Sequence, residues 1–489
     1  MVVQDLVPEE VRMRGPFSDK LGRRWTCPCG REHEISTRWA DVDPAALERL
    51  PARLRGEGWR GKVLLVADEV TYEAAGREVS HILKGSGFGV KERVFPLPLK
   101  ATEERASEVL REVGPEAGLV AAGSGTVNDL AKWAAGLAGK PYAAVPTAAS
   151  MNGYTSPISA LLVRGVKRTV PSPPPVGTSA DPDVVASAPR KMAPAGYADL
   201  RSKVVADVDW WLVGWLFGEY YCPFPREAIG FWEGELNGRL SGVREGDPEA
   251  VGALLRALLD SGFGMAVAGT SSPASGGEHL ISHWLDMRAT LRGGEAALHG
   301  EQVGVGTLVA STLYGMWLES DPEDWKTTLG TPSSEELCRR YGPWAGEVET
   351  ELRRKALSPE MARDLIRKLR EGWEEVREEV VVRWVPPEVL KEELRKVGAP
   401  TRPEELGVPW DVFREALLYS REIRGRWTVL DTAYLVGILP DRAEEALERA
   451  FGGGPAAASS GGPGSYRGAF RGRRGRPFPA RRGGGWWGG

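Results

Sequence analysis

Three of the five histidines in this 489-residue chain fall within SGGEHLISHWLDMRATLRGGEAALHGEQVGVG, residues 275–306. His279 and His283 are four apart, so a helix over Glu278–Met287 stacks them on one face, where both reach a single ion or substrate. His299 opens HGEQVGVGTLVASTLYGMWL, which reads as a loop entering a buried helix, so its imidazole arrives from a second helix N-terminus. Three converging imidazoles point to a metal centre. The plainer reading, a packing histidine, suits any one of them better than it suits the cluster. A carboxylate for the set is available in AGYADLRSKVVADVDWW, where Asp199, Lys203 and Asp207 recur every four residues. That spacing also describes a solvated face of i,i+4 charge pairs. The flanking residues are small and apolar, however, which makes Asp199 a candidate ligand.

Such residues need elements to hold them. From Gly61 the chain alternates: KVLLVAD is a short apolar run of the kind a buried parallel strand shows, a helical stretch ending in GSG follows, and VKERVFPL returns as a strand. ATEERASEVLREVG reads as a helix, GLVAAGSG as a strand running into a glycine turn, TVNDLAKWAAGLAG as a helix and YAAVPT as a further strand. This is the pattern of βαβ crossovers in an open parallel sheet, with ligands at the carboxyl ends of the strands. GSGTVND (123–129) then lies at a strand-to-helix turn, where Gly123 and Gly125 allow close backbone approach and the helix amides favour an anion. A glycine turn also commonly does no more than join a strand to a helix. Asp68 ends the first of these strands, placed to accept from a ribose hydroxyl or to cap the next helix. VPTAASMNGYTSP (145–157) is a small-residue loop that leaves room for a ligand, and LLVRGVKRTVPSPPP predicts a β-hairpin and a proline-rich connection. Beyond about Pro189 strand patterns give way to amphipathic helices such as PEMARDLIRKLREGWEEVREEV. The expected division is a Rossmann-like nucleotide-binding domain over residues 1–188, a helical metal-binding domain over 189–451, and a tail over 452–489.

The tail carries seven arginines and no acid, so the net charge of −4 leaves about −11 on the body. Its glycine and arginine interleaved with Tyr466, Phe470, Phe478, Trp486 and Trp487 cannot bury enough apolar surface to fold. It is a disordered appendage or a non-specific binder of single-stranded nucleic acid or an anionic surface. Four cysteines are too few and scattered for a disulfide framework, which implies a reducing cytoplasm. The N-terminus is not a signal peptide. The most apolar stretch, WWLVGWLF (210–217), is far short of a membrane span and reads as a core helix. In CPCGREHE, Cys27, Cys29 and His33 have metal-ligand chemistry, but three ligands do not close a tetrahedral structural site and no neighbouring Cys or His adds a fourth. The segment reads as a tight turn before the strand HEIST.

In one order, VADEVTY, GSGTVNDLAKWAA, VPTAASMNGYTSP, AGYADLRSK, GGEHLISHWLD and LHGEQVGVGT make the chain resemble the sn-glycerol-1-phosphate dehydrogenase family, within the superfamily of 3-dehydroquinate synthase, glycerol dehydrogenase and iron-type alcohol dehydrogenases. The bacterial branch is most similar, since it carries an N-terminal CxCGxxH like Cys27 to His33. The resemblance covers roughly residues 25–440. It implies a Rossmann-like domain followed by a helical domain with the active site between them, NAD(P), one divalent metal (zinc first, nickel or iron also admitted) and a homodimer. It places the metal on Asp199, His279 and His299 and moves His283 to a substrate-contacting or outer position. It sets Gly123, Ser124, Gly125 and Asp129 near the pyrophosphate, Asp68 near the adenine ribose, Thr147 and Ser150 near the nicotinamide, and Lys203 and Asn152 in the substrate pocket. Two positions depart from the family: Asn152 stands where aspartate is usual, and Ala198 where glycine is usual. The implied reaction is hydride transfer between NAD(P)H and dihydroxyacetone phosphate, giving sn-glycerol 1-phosphate. The alternatives are a polyol or glycerol dehydrogenase with another substrate, a lyase like 3-dehydroquinate synthase, in which the carboxylate ligand is glutamate rather than an aspartate such as Asp199, and a scaffold whose tail does the binding.

Overall fold

The computed structural model describes residues 15–115, 117–163 and 166–453. The tail's arginines and aromatics, with the disorder and the nucleic-acid or anionic-surface binding expected of them, lie outside the described residues.

Ten strands are described. β1 (Arg23–Thr26) and β2 (Glu32–Ile35) form an antiparallel hairpin. β3 (Trp39–Val42), β4 (Lys62–Asp68), β5 (Gly89–Phe95), β6 (Gly118–Gly123), β7 (Tyr142–Pro146) and β10 (Gly177–Ala180) build one six-stranded sheet in the order β3-β10-β7-β6-β4-β5, every neighbour parallel. β8 (Ile158–Val163) and β9 (Val166–Pro171) form the second antiparallel hairpin, as LLVRGVKRTV predicts. The continuous apolar runs serve both faces of the sheet at once. Val63 and Leu65 of β4, with Val120, Ala122, Ala143 and Val145, join one core cluster, while Leu64 and Val66, with Leu119, Ala121, Tyr142 and Ala144, join the other. A strand covered by helices on both sides must be apolar at successive positions, which is why these segments show no polar alternation.

After β10 all described elements are helical. Their shared core also takes in Phe17, Leu21, Cys27 and Ile35, so the N-terminal hairpin packs on the helices although it precedes the sheet in sequence. Two long predicted helices are each divided. AGYADLRSKVVADVDWW breaks at Ser202 into Met192–Arg201 and Lys203–Phe217. PEMARDLIRKLREGWEEVREEV breaks at Gly372 into Pro359–Glu371 and Trp373–Arg383, where a Cβ would stand 2.4 Å from the Trp215 ring. The helix Pro248–Ala268 is long and apolar enough to cross a bilayer, but 89% of its apolar window is buried inside the fold. WWLVGWLF lies within Lys203–Phe217 and supplies core residues Trp210, Trp211, Leu212 and Leu216.

Candidate active site

Two packed helices bring the histidines together: the helix Gly277–Leu291, which carries His279 and His283 one turn apart, and the helix His299–Leu318, which His299 opens. The ring centroids of His279 and His299 are 5.2 Å apart, and His283 stacks on His299 at 5.8 Å with the planes 16° apart. Asp199 enters from the last turn of Met192–Arg201, its Oδ1 3.5 Å from His279 Nε2. Ligand atoms of Asp199, His279 and His299 all lie within 4.8 Å of one another, so the three can hold one ion. The donor chemistry also fits. Glu278 Oε1 lies 2.6 Å from Nδ1 of His279, and Ser282 Oγ 3.2 Å from Nδ1 of His299. With Nδ1 engaged on each ring, the outer partners orient Nε2 toward the centre, as they do for metal-bound imidazoles.

Asp199, Lys203 and Asp207 are 0%, 1% and 3% exposed, which overturns the solvated-face reading of their spacing. Lys203 Nζ donates to Asp199 Oδ1 at 2.8 Å and to the Ala274 carbonyl at 3.0 Å. The backbone amide of Asn152 donates to Asp199 Oδ2 at 3.1 Å. Burial alone would raise the Asp199 carboxyl, but the Lys203 ammonium and then His279 hold it well below the usual carboxylate range. Asp207 lies off this centre, accepting from Tyr221 at 2.9 Å. Ala198, the departure beside the ligand, is fully buried against Gly304 of the facing helix, where there is no side chain to meet its methyl.

The histidines face a cleft of about 510 Å³ whose lining includes Ser124, Gly125, Asp129, Ser150, Asn152, His279, His283 and His299. Ser124 precedes and Gly125 begins the helix Gly125–Ala138 at the carboxyl end of β6, and no side chain caps it there, so its first amides open beside this cleft. The cleft accommodates an anion-bearing nucleotide there, and a Cβ on Gly125 would crowd Met151 on the same wall. The other expected nucleotide contacts are not on that lining. Gly123 ends β6 and Thr147 is buried just past β7. Asp68 is buried, and its Oδ1 accepts the Thr71 amide at 2.8 Å as a helix cap. The loop 145–157 is packed at both ends, with Ala148, Ala149, Tyr154 and Thr155 buried, and open in the middle, where Ser150, Met151, Asn152 and Gly153 line the cleft.

Several contributors are invisible to motif reading. Lys132 is fully buried and donates to the carbonyls of Gly153 and Ile158 at 2.5 and 2.9 Å, tying the Gly125–Ala138 helix to the Asn152 loop; burial pulls its ammonium down to about 8. Asp209 Oδ2 accepts the Gly277 amide at 2.7 Å and so anchors the helix that carries His279. Glu278 and Ser282 were legible only as neighbours of the HxxxH pair. A second cavity of about 720 Å³ shares Thr169, Ser275 and His283 with the cleft and is lined by Arg168, Arg354, Arg424 and Arg426. Arg426 Nη1 donates to the Ser275 carbonyl at 2.5 Å and Arg424 Nη2 to Thr169 Oγ1 at 3.2 Å. Neither of these two forms a salt bridge within 4 Å among the described residues, but Glu351 acts on Arg424 and Asp209, Glu278 and Glu219 on Arg426 at longer range.

A family profile described as iron-containing alcohol dehydrogenase matches residues 41–189. The chain is 29% identical over 424 residues to a Bacillus licheniformis protein named glycerol-1-phosphate dehydrogenase (NAD(P)+), covering 85% of this chain and 93% of that one. Proteins of the same name from Halalkalibacterium halodurans and Pyrococcus furiosus are 34% and 30% identical, covering 59% and 78% of this chain and 73% and 89% of theirs. Among solved structures, glycerol dehydrogenase of Schizosaccharomyces pombe superposes with a TM-score of 0.57 at 17% identity, covering 84% of this chain and 89% of that one. The fold is therefore that of the iron-type alcohol dehydrogenases. At these identities and coverages the chain belongs to the glycerol-1-phosphate dehydrogenase family.

Proposed function

We propose that the protein is a metal-dependent NAD(P)H oxidoreductase that interconverts dihydroxyacetone phosphate and sn-glycerol 1-phosphate, the activity named for its relatives. The observation that carries the reading is the pair of cavities joined at His283. One holds a metal-ligating set beside a helix N-terminus; the other holds Arg424 and Arg426, neither in a salt bridge among the described residues, although Asp209, Glu219, Glu347 and Glu351 share its lining. A small ketone bearing a phosphate matches this division, since its carbonyl and its dianion call for different partners.

When bound, the ion supplies Lewis acidity at the ketone oxygen and the nicotinamide supplies the hydride. The chain's own residues do the rest. Asp199, His279 and His299 hold the ion, zinc by donor type, with nickel and iron accepting the same donors. Lys203 and the Asn152 amide fix both oxygens of Asp199, while Glu278 and Ser282 fix the imidazoles. Ser124, Gly125 and Asp129 line the pyrophosphate end, and Ser150 lies on the same lining toward Asn152. Gly123, Thr147 and Asp68, none of them on that lining, keep the assignments the family resemblance implies, to the pyrophosphate, the nicotinamide and the adenine ribose respectively. His283, on the rim common to both cavities, contacts the substrate between its carbonyl and its phosphate. Asn152 Nδ2 donates to Ser261 at 3.1 Å, so the departure from aspartate spares a negative charge near the substrate without leaving the amide idle. Four unpaired cysteines support a reducing, cytoplasmic setting, and the division at 188/189 and the homodimer are retained as parts of the same reading.

The test is NAD(P)H oxidation by the zinc-reloaded full chain with dihydroxyacetone phosphate. Turnover that His279→Ala abolishes is expected; no oxidation with any small ketone or ketose phosphate would sink the proposal.

A further inference from the structure

Four side chains that take no part in the cleft meet at a second point. Cys27, Cys29 and His33 lie on the β1–β2 hairpin, where the chain reverses at Gly30 with φ of +86°. The Gly30 amide donates to the Cys27 carbonyl at 2.9 Å, and the Cys27 amide to the Arg31 carbonyl at 2.8 Å. This tight turn folds both sulfurs toward the strand that carries His33. Sequence supplies no fourth ligand nearby, yet Cys222, 189 residues from His33, stands beside them. It follows the Lys203–Phe217 helix of the helical region.

Cys222 Sγ is 3.7 Å from Cys27 Sγ and 3.7 Å from His33 Nε2, and Cys29 Sγ is 3.2 Å from the same nitrogen. All four ligand atoms fall within 4.8 Å of one another. With zinc–sulfur bonds of about 2.3 Å and zinc–nitrogen bonds of about 2.05 Å, a tetrahedron has S–S edges of about 3.8 Å and S–N edges of about 3.6 Å. The two Cys222 separations match those edges, and the Cys29–His33 pair is about 0.4 Å shorter than its edge. A disulfide does not describe the cluster: all four cysteines are unbonded, and a sulfur–sulfur bond is about 2.05 Å long.

The surroundings are built as for a metal. Backbone amides of Cys29, Arg31 and Phe224 hydrogen-bond the sulfurs of Cys27, Cys29 and Cys222 respectively, opposing the burial that otherwise favours the neutral thiols. The His33 ring hydrogen-bonds the backbone of Val267 while its Nε2 faces the sulfurs, the arrangement that orients a ligating imidazole. Tyr220 Oη lies 3.4 Å from Cys29 Sγ and 3.2 Å from His33 Nε2. The Arg31 guanidinium rests 3.6 Å over the Tyr220 ring, a cation beside a centre that three thiolates and one divalent ion leave net negative.

We propose that Cys27, Cys29, His33 and Cys222 form a closed structural zinc site that clips the N-terminal hairpin to the helical region. Four protein ligands leave no open position, so the ion takes no part in turnover, and three thiolates exclude magnesium and calcium. The clip reaches the active site indirectly. Val267, tied to His33, lies in the last turn of the helix Pro248–Ala268, beyond which Ser271, Ala274 and Ser275 reach the cleft lining.

The experiment uses the full chain carrying His279→Ala and His299→Ala, which empties the cleft. Expected are one retained equivalent of zinc, freed only when a mercurial caps the thiols, and a sulfur-to-cobalt charge-transfer band after cobalt exchange. Cys222→Ser or Cys29→Ser in that background should lose the zinc on dialysis against EDTA, and the exposed Cys338→Ser should keep it. If the double variant does not fold, the wild-type chain gives the same reading, because the Asp199 set contains no sulfur and cannot produce the band. Four thiols reacting freely in a folded, zinc-free protein, or a Cys27–Cys222 disulfide found by mass spectrometry, would overturn the proposal.

Discussion

Gly300→Ala tests how closely two helix backbones must approach to make the ligand set. A Cβ on Gly300 would stand 2.0 Å from the carbonyl oxygen of Ala195, where ordinary contact begins at 3.4 Å. Backbone lies on both sides, so no rotamer relieves the clash and the helices must separate by the difference, about 1.4 Å. Gly300 adjoins His299, and Ala195 lies one turn before Asp199, so the displacement opens the set itself. Metal–ligand bonds tolerate about 0.2 Å, and a misplacement of about 1 Å costs about 100-fold in rate. The expected variant is folded, destabilised by about 1–3 kcal/mol, with metal affinity and kcat each reduced about 100-fold. Gly234→Ala is the control: it sits within the helix Phe224–Asn237 with nothing within 4 Å of its added Cβ, and should be neutral or stabilising. Metal titration, kcat and thermal melting read the outcome. A folded Gly300→Ala chain with wild-type metal affinity and kcat would refute the reasoning.

Other outcomes follow from particular contacts. Glu278→Gln leaves His279 Nδ1 a weaker partner and should lower metal affinity about 10–100-fold by competition with a chelator; unchanged affinity would deny Glu278 its orienting part. Arg424→Met should raise KM for dihydroxyacetone phosphate about 30–150-fold, the worth of a charged hydrogen bond of about 2–3 kcal/mol, and barely change it for unphosphorylated dihydroxyacetone. Equal effects on both ketones would remove Arg424 from the phosphate. Burial pushes the Asp260 carboxyl up to about 8 from 3.8, against the hydrogen bond it receives from Trp232 Nε1 at 2.7 Å. The folded state therefore binds the proton more tightly than the unfolded chain. This contribution is complete below the unfolded pKa and is lost as pH rises through about 8, so Asp260→Asn should flatten the decline in stability between about pH 4 and pH 8. Denaturant titrations with an unaltered pH slope would show that Asp260 is not the group responsible.

The central strands were legible because a strand covered on both faces is apolar at every position, and β4, β6 and β7 carry little else. β3 and β10 were not, since WADV and GTSA are four residues long and make no hydrophobic run. Helix breaks at Ser202 and Gly372 depend on what packs there, and Trp215 is far from Gly372 in sequence. The HxxxH pair announced itself by spacing. Asp199 did not, because a buried charged row and a solvated one have the same period; only burial separates them. The Arg424–Arg426 cavity and Cys222 were illegible for a related reason: both are completed by contacts between distant segments.

The proposed chemistry stands or falls on where a hydride goes. With the zinc-loaded chain, C4-deuterated NADH and dihydroxyacetone phosphate, the product should be sn-glycerol 1-phosphate carrying deuterium at C2. The sn-3 enantiomer, or consumption of the ketone without deuterium transfer, would contradict it.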